Sequence, residues 1–265
     1  MNDPSPPSLL QRAGREAIAY RRMEGAEPGV MFCGGFMSDM TGTKATALEA
    51  HCRSTGRAFV RFDYSGHGES GGAFRDGTIG AWHDDALAVL DEVARGPQVL
   101  VGSSMGGWIM LLVALARPER VSALVGVAAA PDFTEDLIWS TLDDEARRTL
   151  TGAGEIVMPC DYGEEPYPIT MGLIEEGRGH LLLRAPIALH CPIHLLQGMV
   201  DEDVPWRTAL RIAELVTSER VVVELVKDGD HRLSREQDLA RLCRSLDAAA
   251  RAGTASNHGE HGSGR

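Results

Sequence analysis

Cysteine is scarce in this chain of 265 residues, and its spacing is irregular. No two cysteines form a C-x-x-C pair, and their odd number cannot be consumed in intramolecular disulfides; they are Cys33, Cys52, Cys160, Cys191 and Cys243. This pattern predicts neither a disulfide framework nor a zinc site, and it favours a reducing compartment. We interpret all five thiols as small buried hydrophobes.

Long apolar runs and an excess of basic residues are also missing. The longest apolar candidate, Trp108 to Ala116, is too short for a membrane span, which needs about 20 residues. The formal net charge of −12 disfavours binding to nucleic acid or to anionic lipid. The N-terminal residues include three prolines and no apolar run after a basic start, so no signal peptide is predicted.

The sequence does contain a regular alternation of short apolar runs and amphipathic segments. The apolar runs predict strands at 29–33, 58–62, 99–102, 121–129, 193–196 and 221–226. Helical spacing and helix stop signals predict helices at 43–55, 79–95, 106–117, 207–217 and 235–250. Strands separated by helices are typical of the α/β class, with a mostly parallel central sheet flanked by helices.

Two segments depart from this alternation. Residues 132–186 are polar, acidic and interrupted by proline and glycine, and we expect them to form a partly helical cap insertion over the sheet. Residues 252–265 have no large apolar side chain, so they are predicted to be a disordered tail. Residues 1–251 are predicted to form a single domain.

The run Gly102 to Gly106 reads G-S-S-M-G and lies between a predicted strand and a predicted helix. In this context a G-x-S-x-G motif presents its serine on a sharp turn, because the small flanking residues let the two backbones approach closely. A dinucleotide fingerprint would need glycine at Ser104, and a phosphate-binding P-loop would need lysine at Trp108. Ser104 is therefore the candidate nucleophile, and a purely structural turn is the alternative.

A serine hydroxyl needs a base, and this type of motif is followed in the chain by an acid and then a histidine. His231 follows the last predicted strand across a short loop and is the candidate base; a surface loop histidine is the alternative. Asp201, in the G-x-x-D-x-x-V-P loop after strand 193–196, is the candidate acid, with Asp203 as runner-up. The acid would hold the imidazole tautomer and stabilise the imidazolium.

The reaction also needs hydrogen-bond donors for a developing oxyanion. The backbone N–H of Met105, directly after the candidate nucleophile, is one candidate, and that of Phe36, in the Gly34-Gly35-Phe36 turn, is the other. A second glycine-rich run, Asp63 to Ser70, could be a metal or phosphate loop, but we favour a turn in which Asp63 bonds its own loop. No metal ion or organic cofactor is predicted.

Together these segments resemble the α/β-hydrolase superfamily, and more closely its abhydrolase-domain palmitoyl-protein thioesterases, also known as mycophenolic acid acyl-glucuronide esterases. The resemblance runs from about Gly34 to Leu233, in "GGFMSDMTGTKA", "RFDYSGHGESGG", "VGSSMGGWIMLLVALARPERV", "CPIHLLQGMVDEDVPW" and "DGDHRL". It implies the α/β-hydrolase fold and a catalytic triad of Ser104, Asp201 and His231. It also implies hydrolysis of S-acyl cysteine thioesters and acyl-glucuronide esters, in a small molecule or an acylated protein.

Other functions stay open on the sequence. A carbon–carbon bond hydrolase or a general carboxylesterase would use the same fold and triad, and a catalytically silent binding protein would use the fold alone. We expect no nucleic-acid partner and no stable membrane insertion, and the sequence makes no prediction of oligomeric state. The expected location is the cytoplasm, with the mitochondrion as the alternative for a eukaryotic family member.

Overall fold

The computed structural model describes residues 6–158 and 166–257. The strands are β1 Ser8–Arg12, β2 Arg15–Met23, β3 Ala26–Cys33, β4 Arg57–Phe62, β5 Gln98–Ser103, β6 Val121–Val127, β7 Glu155–Met158, β8 Tyr167–Thr170, β9 Ile193–Gly198 and β10 Val221–Val226. The α-helices are α1 Thr43–Thr55, α2 Ile79–Ala88, α3 Met105–Ala116, α4 Asp144–Ala153, α5 Met171–Gly177, α6 Arg207–Leu215 and α7 Glu236–Asn257.

Eight of the strands form one sheet in the order β1-β2-β4-β3-β5-β6-β9-β10. The pairs from β4 to β10 are parallel, whereas β1 and β2 form an antiparallel hairpin that joins β4 at one edge. The predicted α/β-hydrolase fold with a mostly parallel sheet is confirmed. All six predicted strands lie in this sheet, and the five predicted helices are also present.

The β1–β2 hairpin was not predicted. Within it only Ile18 and Ala19 are buried, and most other positions are exposed or half-buried and many are charged. An edge hairpin of this kind lacks the clear apolar alternation by which a half-buried strand is recognised. The predicted helix 79–95 also ends early, because α2 gives way to a π-helical turn at Val89–Val93.

The sheet is covered on both faces, and alternate side chains of each strand point to opposite faces. In β3, Met31 packs with α2 and α3, while Val30 packs with α1 and α7. The central helix α3 is buried along nearly its whole length, which explains why it carries no polar face. Because the strands from β4 to β10 are parallel, their carboxyl ends lie at the same edge of the sheet. Ligands bind at this edge in open α/β sheets.

The predicted insertion at 132–186 falls between β6 and β9. It contains α4, α5 and a two-stranded antiparallel sheet of β7 and β8, which was not predicted. Helix α7 extends to Asn257, so the predicted tail boundary at Ala252 is wrong by six helical residues, and 258–265 lie outside the described residues. In the described part of the chain, no helix has the length and apolarity needed to cross a membrane.

Candidate active site

Ser104 lies on the turn between β5 and α3, at φ 54° and ψ −121°. This left-handed backbone conformation is strained for a residue with a side chain, and it is held by backbone hydrogen bonds to its N–H and to its carbonyl. The Ser104 N–H donates to the Val127 carbonyl at 2.9 Å, and the Ser104 carbonyl accepts from Ala130 at 3.1 Å. A Cβ on Gly102 or Gly106 would collide with nearby backbone, so both flanking glycines are required.

The structure brings the three predicted polar side chains into one hydrogen-bonded chain. The Oγ of Ser104 lies 3.1 Å from Nε2 of His231, and Nδ1 of His231 lies 2.9 Å from Oδ2 of Asp201. The Asp201 side chain is fully buried and that of His231 is 14% exposed. This is the geometry required for a base to accept a proton from an alcohol while an acid orients the imidazole.

Asp201 is held by donors from its own loop. Its Oδ1 accepts the backbone N–H groups of Asp203 and Val204 at 2.9 and 2.8 Å, and its Oδ2 accepts the Gln197 side-chain amide at 2.7 Å. Gln197 is a supporting residue that sequence reasoning missed. It is a buried polar residue near the end of β9, and nothing in the local sequence links it to the acid.

Asp203, the runner-up for the acid, is exposed and contributes its backbone N–H to Asp201. One potential metal-ligating atom from each of Asp201, Asp203 and His231 lies within 4.8 Å of the other two, a spacing at which a metal ion could bind. The side chains of Asp201 and His231, however, already bond to each other, and His231 also bonds to Ser104. The expectation that the site works without a metal stays a prediction.

The loop after β3 runs beside the candidate nucleophile. A Cβ placed on Gly35 would lie 3.5 Å from the Cβ of Ser104, so the Gly35–Phe36 peptide is close to the reacting hydroxyl. The Ser38 N–H donates to the Gly35 carbonyl at 3.2 Å and closes a tight turn in which Met37 has φ 56°. Within the described residues, the Phe36 and Met105 N–H groups have no protein acceptor. Both remain available to a ligand.

The Phe36 side chain packs among four aromatic rings. The ring centroids of Phe74, Trp82, Phe133 and Tyr167 lie 4.9, 5.8, 5.7 and 5.5 Å from that of Phe36, all edge to face. Phe133 and Tyr167 belong to the insertion, so the insertion contacts the loop that carries one candidate oxyanion donor. Edge-to-face packing of this kind fixes ring orientation as well as burying area.

The Asp63 to Ser70 run forms a turn that is held by the carboxylate of Asp63. Asp63 accepts the backbone N–H groups of Met40 and Glu69 at 2.6 and 2.9 Å, and a Cβ on Gly68 would collide with its carboxylate. Burial raises the pKa of Asp63. His67 is buried against neighbouring rings, which lowers its pKa because the charged imidazolium is desolvated. This geometry agrees with a structural turn rather than a phosphate loop.

The thiols of the described cysteines take no part in the hydrogen-bonded chain at Ser104. Cys33 and Cys52 are buried, and Cys191 and Cys243 are half-buried. Burial raises the pKa of Cys33 and Cys52 to about 12 and that of Cys191 to about 11, so these thiols are protonated at neutral pH. Cys160 lies outside the described residues.

A separate cavity of about 810 Å³ lies between the β1–β2 hairpin, α2 and α5. Among the described residues, neither Ser104 nor His231 lines it. Six of its titratable side chains bind one another, at 2.6 Å in Arg12–Asp85, 2.8 Å in Arg15–Asp84 and 2.6 Å in Glu176–His180. Because these groups already bond to each other, the cavity is a weaker candidate than the Ser104 site.

Comparison with known proteins identifies the family of this chain. Residues 30–157 match the model of the α/β hydrolase fold family. The chain is 44% identical to the mouse mitochondrial palmitoyl-protein thioesterase ABHD10 over 241 residues, which is 91% of this chain and 81% of the mouse protein. The chain belongs to the ABHD10 family of α/β-hydrolases. The resemblance expected from the sequence is therefore confirmed.

Solved structures support the ABHD10 assignment over nearly the whole chain. Mouse alpha/beta hydrolase domain-containing protein 10 matches with a TM-score of 0.86 at 43% identity, covering 92% of this chain and 98% of that one. A putative hydrolase from Agrobacterium vitis S4 matches with a TM-score of 0.87 at 44% identity, covering 91% and 96%. Est1E from Butyrivibrio proteoclasticus, at 16% identity and a TM-score of 0.75, shares the fold.

Proposed function

We propose that this chain is a serine hydrolase that cleaves carboxylic thioesters and esters through an acyl-enzyme on Ser104. Its proposed substrates are S-acyl thioesters of the palmitoyl type and acyl-glucuronide esters. The observation that carries the proposal is the continuous hydrogen-bonded chain from Ser104 through His231 to the buried Asp201. The 44% identity to a palmitoyl-protein thioesterase supports the thioester part.

Acylation begins with Ser104 Oγ attacking the substrate carbonyl carbon while His231 Nε2 accepts the hydroxyl proton. Asp201 stays ionised beside the imidazolium and holds its orientation. The tetrahedral intermediate collapses as the bond from the carbonyl carbon to the leaving sulfur or oxygen breaks. His231 gives its proton to the departing atom, which leaves an ester between Ser104 and the acyl group.

Deacylation repeats these steps with water as the nucleophile. His231 removes a proton from the water, the hydroxide adds to the acyl carbon, and Ser104 Oγ leaves with the proton that His231 returns. In both halves the oxyanion would accept hydrogen bonds from the backbone N–H groups of Phe36 and Met105. Loss of one such donor typically lowers the rate by about 10²–10³.

The leaving group sets the expected order of substrates. A thiolate departs with little help from an acid, a glucuronide oxygen needs more, and an amide nitrogen must be fully protonated. We therefore expect thioesters and activated esters to react faster than peptides. The ring cluster around Phe36 supplies apolar surface beside the proposed oxyanion donors, which suits an apolar acyl group.

A fluorophosphonate probe and a substrate panel test this function. Wild-type protein should be labelled on Ser104, and Ser104→Ala should not be labelled although it melts at a similar temperature. Palmitoyl thioester and acyl-glucuronide hydrolysis should exceed that of a matched amide. Hydrolysis confined to short p-nitrophenyl esters would instead support a general carboxylesterase, and turnover of carbon–carbon bonds alone would support that class of hydrolase.

Absence of labelling in folded wild-type protein would overturn the proposal in favour of a catalytically silent binding protein. The complete hydrogen-bonded chain counts against that class, because a receptor has no need of an activated serine.

The ABHD10 relatives are named as mitochondrial proteins, which favours the mitochondrial alternative over the cytoplasmic expectation. Import of the full chain into isolated mitochondria, with protection from added protease, would test that location.

A further inference from the structure

Lys44 connects helix α1 to the segment that carries His231. Its Nζ donates a 2.6 Å hydrogen bond to the carbonyl of Arg232, the residue directly after His231, and lies 3.5 Å from Ser234 Oγ. The two bonded residues are 188 positions apart in the chain. A single side chain therefore fixes the backbone next to the candidate base to another element of the fold.

Helix α1 begins where the loop after β3 ends, and that loop carries Phe36. The loop is held in turn by Asp63, which accepts the Met40 N–H at 2.6 Å. Lys44 thus connects two segments whose relative position matters for the proposed reaction. One carries the candidate oxyanion donor Phe36, and the other carries the candidate base His231.

The charged side chain of Lys44 is partly desolvated at this position, which costs free energy. The pKa of Lys44 is lowered to about 8, mainly by burial and then by the nearby guanidinium of Arg232, while the carboxylate of Asp230 partly opposes both effects. Among the described residues, the hydrogen-bond partners of its ammonium group are the Arg232 carbonyl and the Ser234 hydroxyl, and neither carries a charge. Lys44 is half-buried, and an apolar side chain of similar length would cover this position without partly desolvating a charge. What it could not supply is the hydrogen bond to the Arg232 carbonyl.

Other hydrogen bonds hold the same segment, one from the Asp201 loop and one within the segment itself. The carbonyl of Gly229 accepts the Val200 N–H at 3.0 Å, and Asp230 Oδ1 accepts the Leu233 N–H at 2.9 Å. Leu233 itself has φ 42°, a strained value that needs support from its surroundings. The bond from Lys44 adds a restraint from α1 that these contacts do not provide.

We propose that Lys44 is a positioning residue, which fixes the backbone at Arg232 and thereby holds His231 Nε2 within hydrogen-bonding distance of Ser104. This inference rests on the proposed serine hydrolase function. Lys44 does not touch the reacting atoms. It acts through the position of the base, and a displacement of about 1 Å at a reacting group can cost on the order of 10²-fold in rate.

The test compares Lys44→Met with Lys44→Gln, which keeps a neutral N–H donor on a side chain that is one bond shorter. The chain has one other lysine, the exposed Lys227 near the same segment, and Lys227→Met is the matched control. For Lys44→Met we expect kcat for thioester hydrolysis to fall about 10- to 100-fold with KM unchanged. The rate of fluorophosphonate labelling should fall by the same factor, and Lys44→Gln should recover part of both rates.

The melting temperature separates positioning from folding. Because Lys44→Met removes a partly desolvated charge together with one hydrogen bond, its Tm should stay close to that of wild type although its kcat is lower. A kcat equal to that of Lys227→Met would overturn the proposal, and so would a loss of kcat that follows a fall in Tm and is not recovered by Lys44→Gln. Wild-type protein that fails to label on Ser104 would instead overturn the proposed function itself.

Discussion

The carboxylate of Asp132 accepts a 2.7 Å hydrogen bond from the backbone N–H of Leu182, and so joins the two ends of the insertion between β6 and β9. The next N–H, that of Leu183, donates to the other carboxylate oxygen at 2.8 Å. Asp132 is fully buried, and burial raises its pKa although both N–H groups favour the charged form. One side chain therefore fixes the base of the insertion.

Replacement of Asp132 by alanine should lower the free energy of unfolding by about 2–3 kcal/mol, because two buried N–H groups lose their acceptor. The matched control is Asp136→Ala, which removes a partly exposed carboxylate that pairs with Arg184. A surface pair of that kind contributes at most about 1 kcal/mol. Urea denaturation would measure both values, and equal losses in the two variants would contradict this account of the insertion.

The turn that carries Ser104 should tolerate no added methyl group at Gly106. A Cβ there would lie well inside van der Waals distance of the Cys33 and Gly34 carbonyl oxygens, which are backbone atoms of the neighbouring strand and loop. We expect Gly106→Ala to lower the free energy of unfolding by about 3 kcal/mol. Gly152→Ala, in helix α4 with open space around it, should instead stabilise the protein by about 0.5–1 kcal/mol. Thermal melts of both variants would check the opposite signs.

The parallel part of the fold was predictable because its strands are continuous apolar runs, as at Val99 to Val101, separated by amphipathic helices. Ser104 and His231 were predictable because the motif and the chain order of its partners are local signals. The contact of Lys44 was not predictable, because its partner Arg232 lies 188 positions away in the chain. Gln197 lies only four residues before Asp201, but the bond between them depends on how the loop after β9 turns back, and no local motif indicates that turn.

Stability should fall as the pH drops below about 6.5, in part because of His67. Burial lowers the pKa of His67 in the folded protein, and its Nε2 has no partner among the described residues. The unfolded chain therefore binds a proton on this histidine at a pH where the folded chain does not, and acid favours unfolding. The ring packs against Phe74 and Trp82 at 5.1 and 5.2 Å, so a phenyl group can replace it.

In His67→Phe, the difference in unfolding free energy between pH 7.5 and pH 5.5 should be smaller than in wild type. Replacement of the exposed His190 by glutamine serves as the control and should leave that difference unchanged. Denaturant titrations at the two pH values give the comparison. If the difference in unfolding free energy between the two pH values is as large in His67→Phe as in wild type, the acid sensitivity comes from other groups.

Two carboxylates in one loop, Asp201 and Asp203, should differ sharply in their effect on hydrolysis. Asp201 is buried and bonds Nδ1 of His231 at 2.9 Å, so asparagine there would favour the wrong imidazole tautomer. We expect Asp201→Asn to lower kcat by about 10³–10⁴. Asp203 contributes its backbone N–H to Asp201, and Asp203→Asn keeps that bond, so its kcat should stay within about threefold of wild type. Steady-state kinetics on one thioester substrate would measure kcat for both variants. If kcat falls further in Asp203→Asn than in Asp201→Asn, Asp203 is the acid.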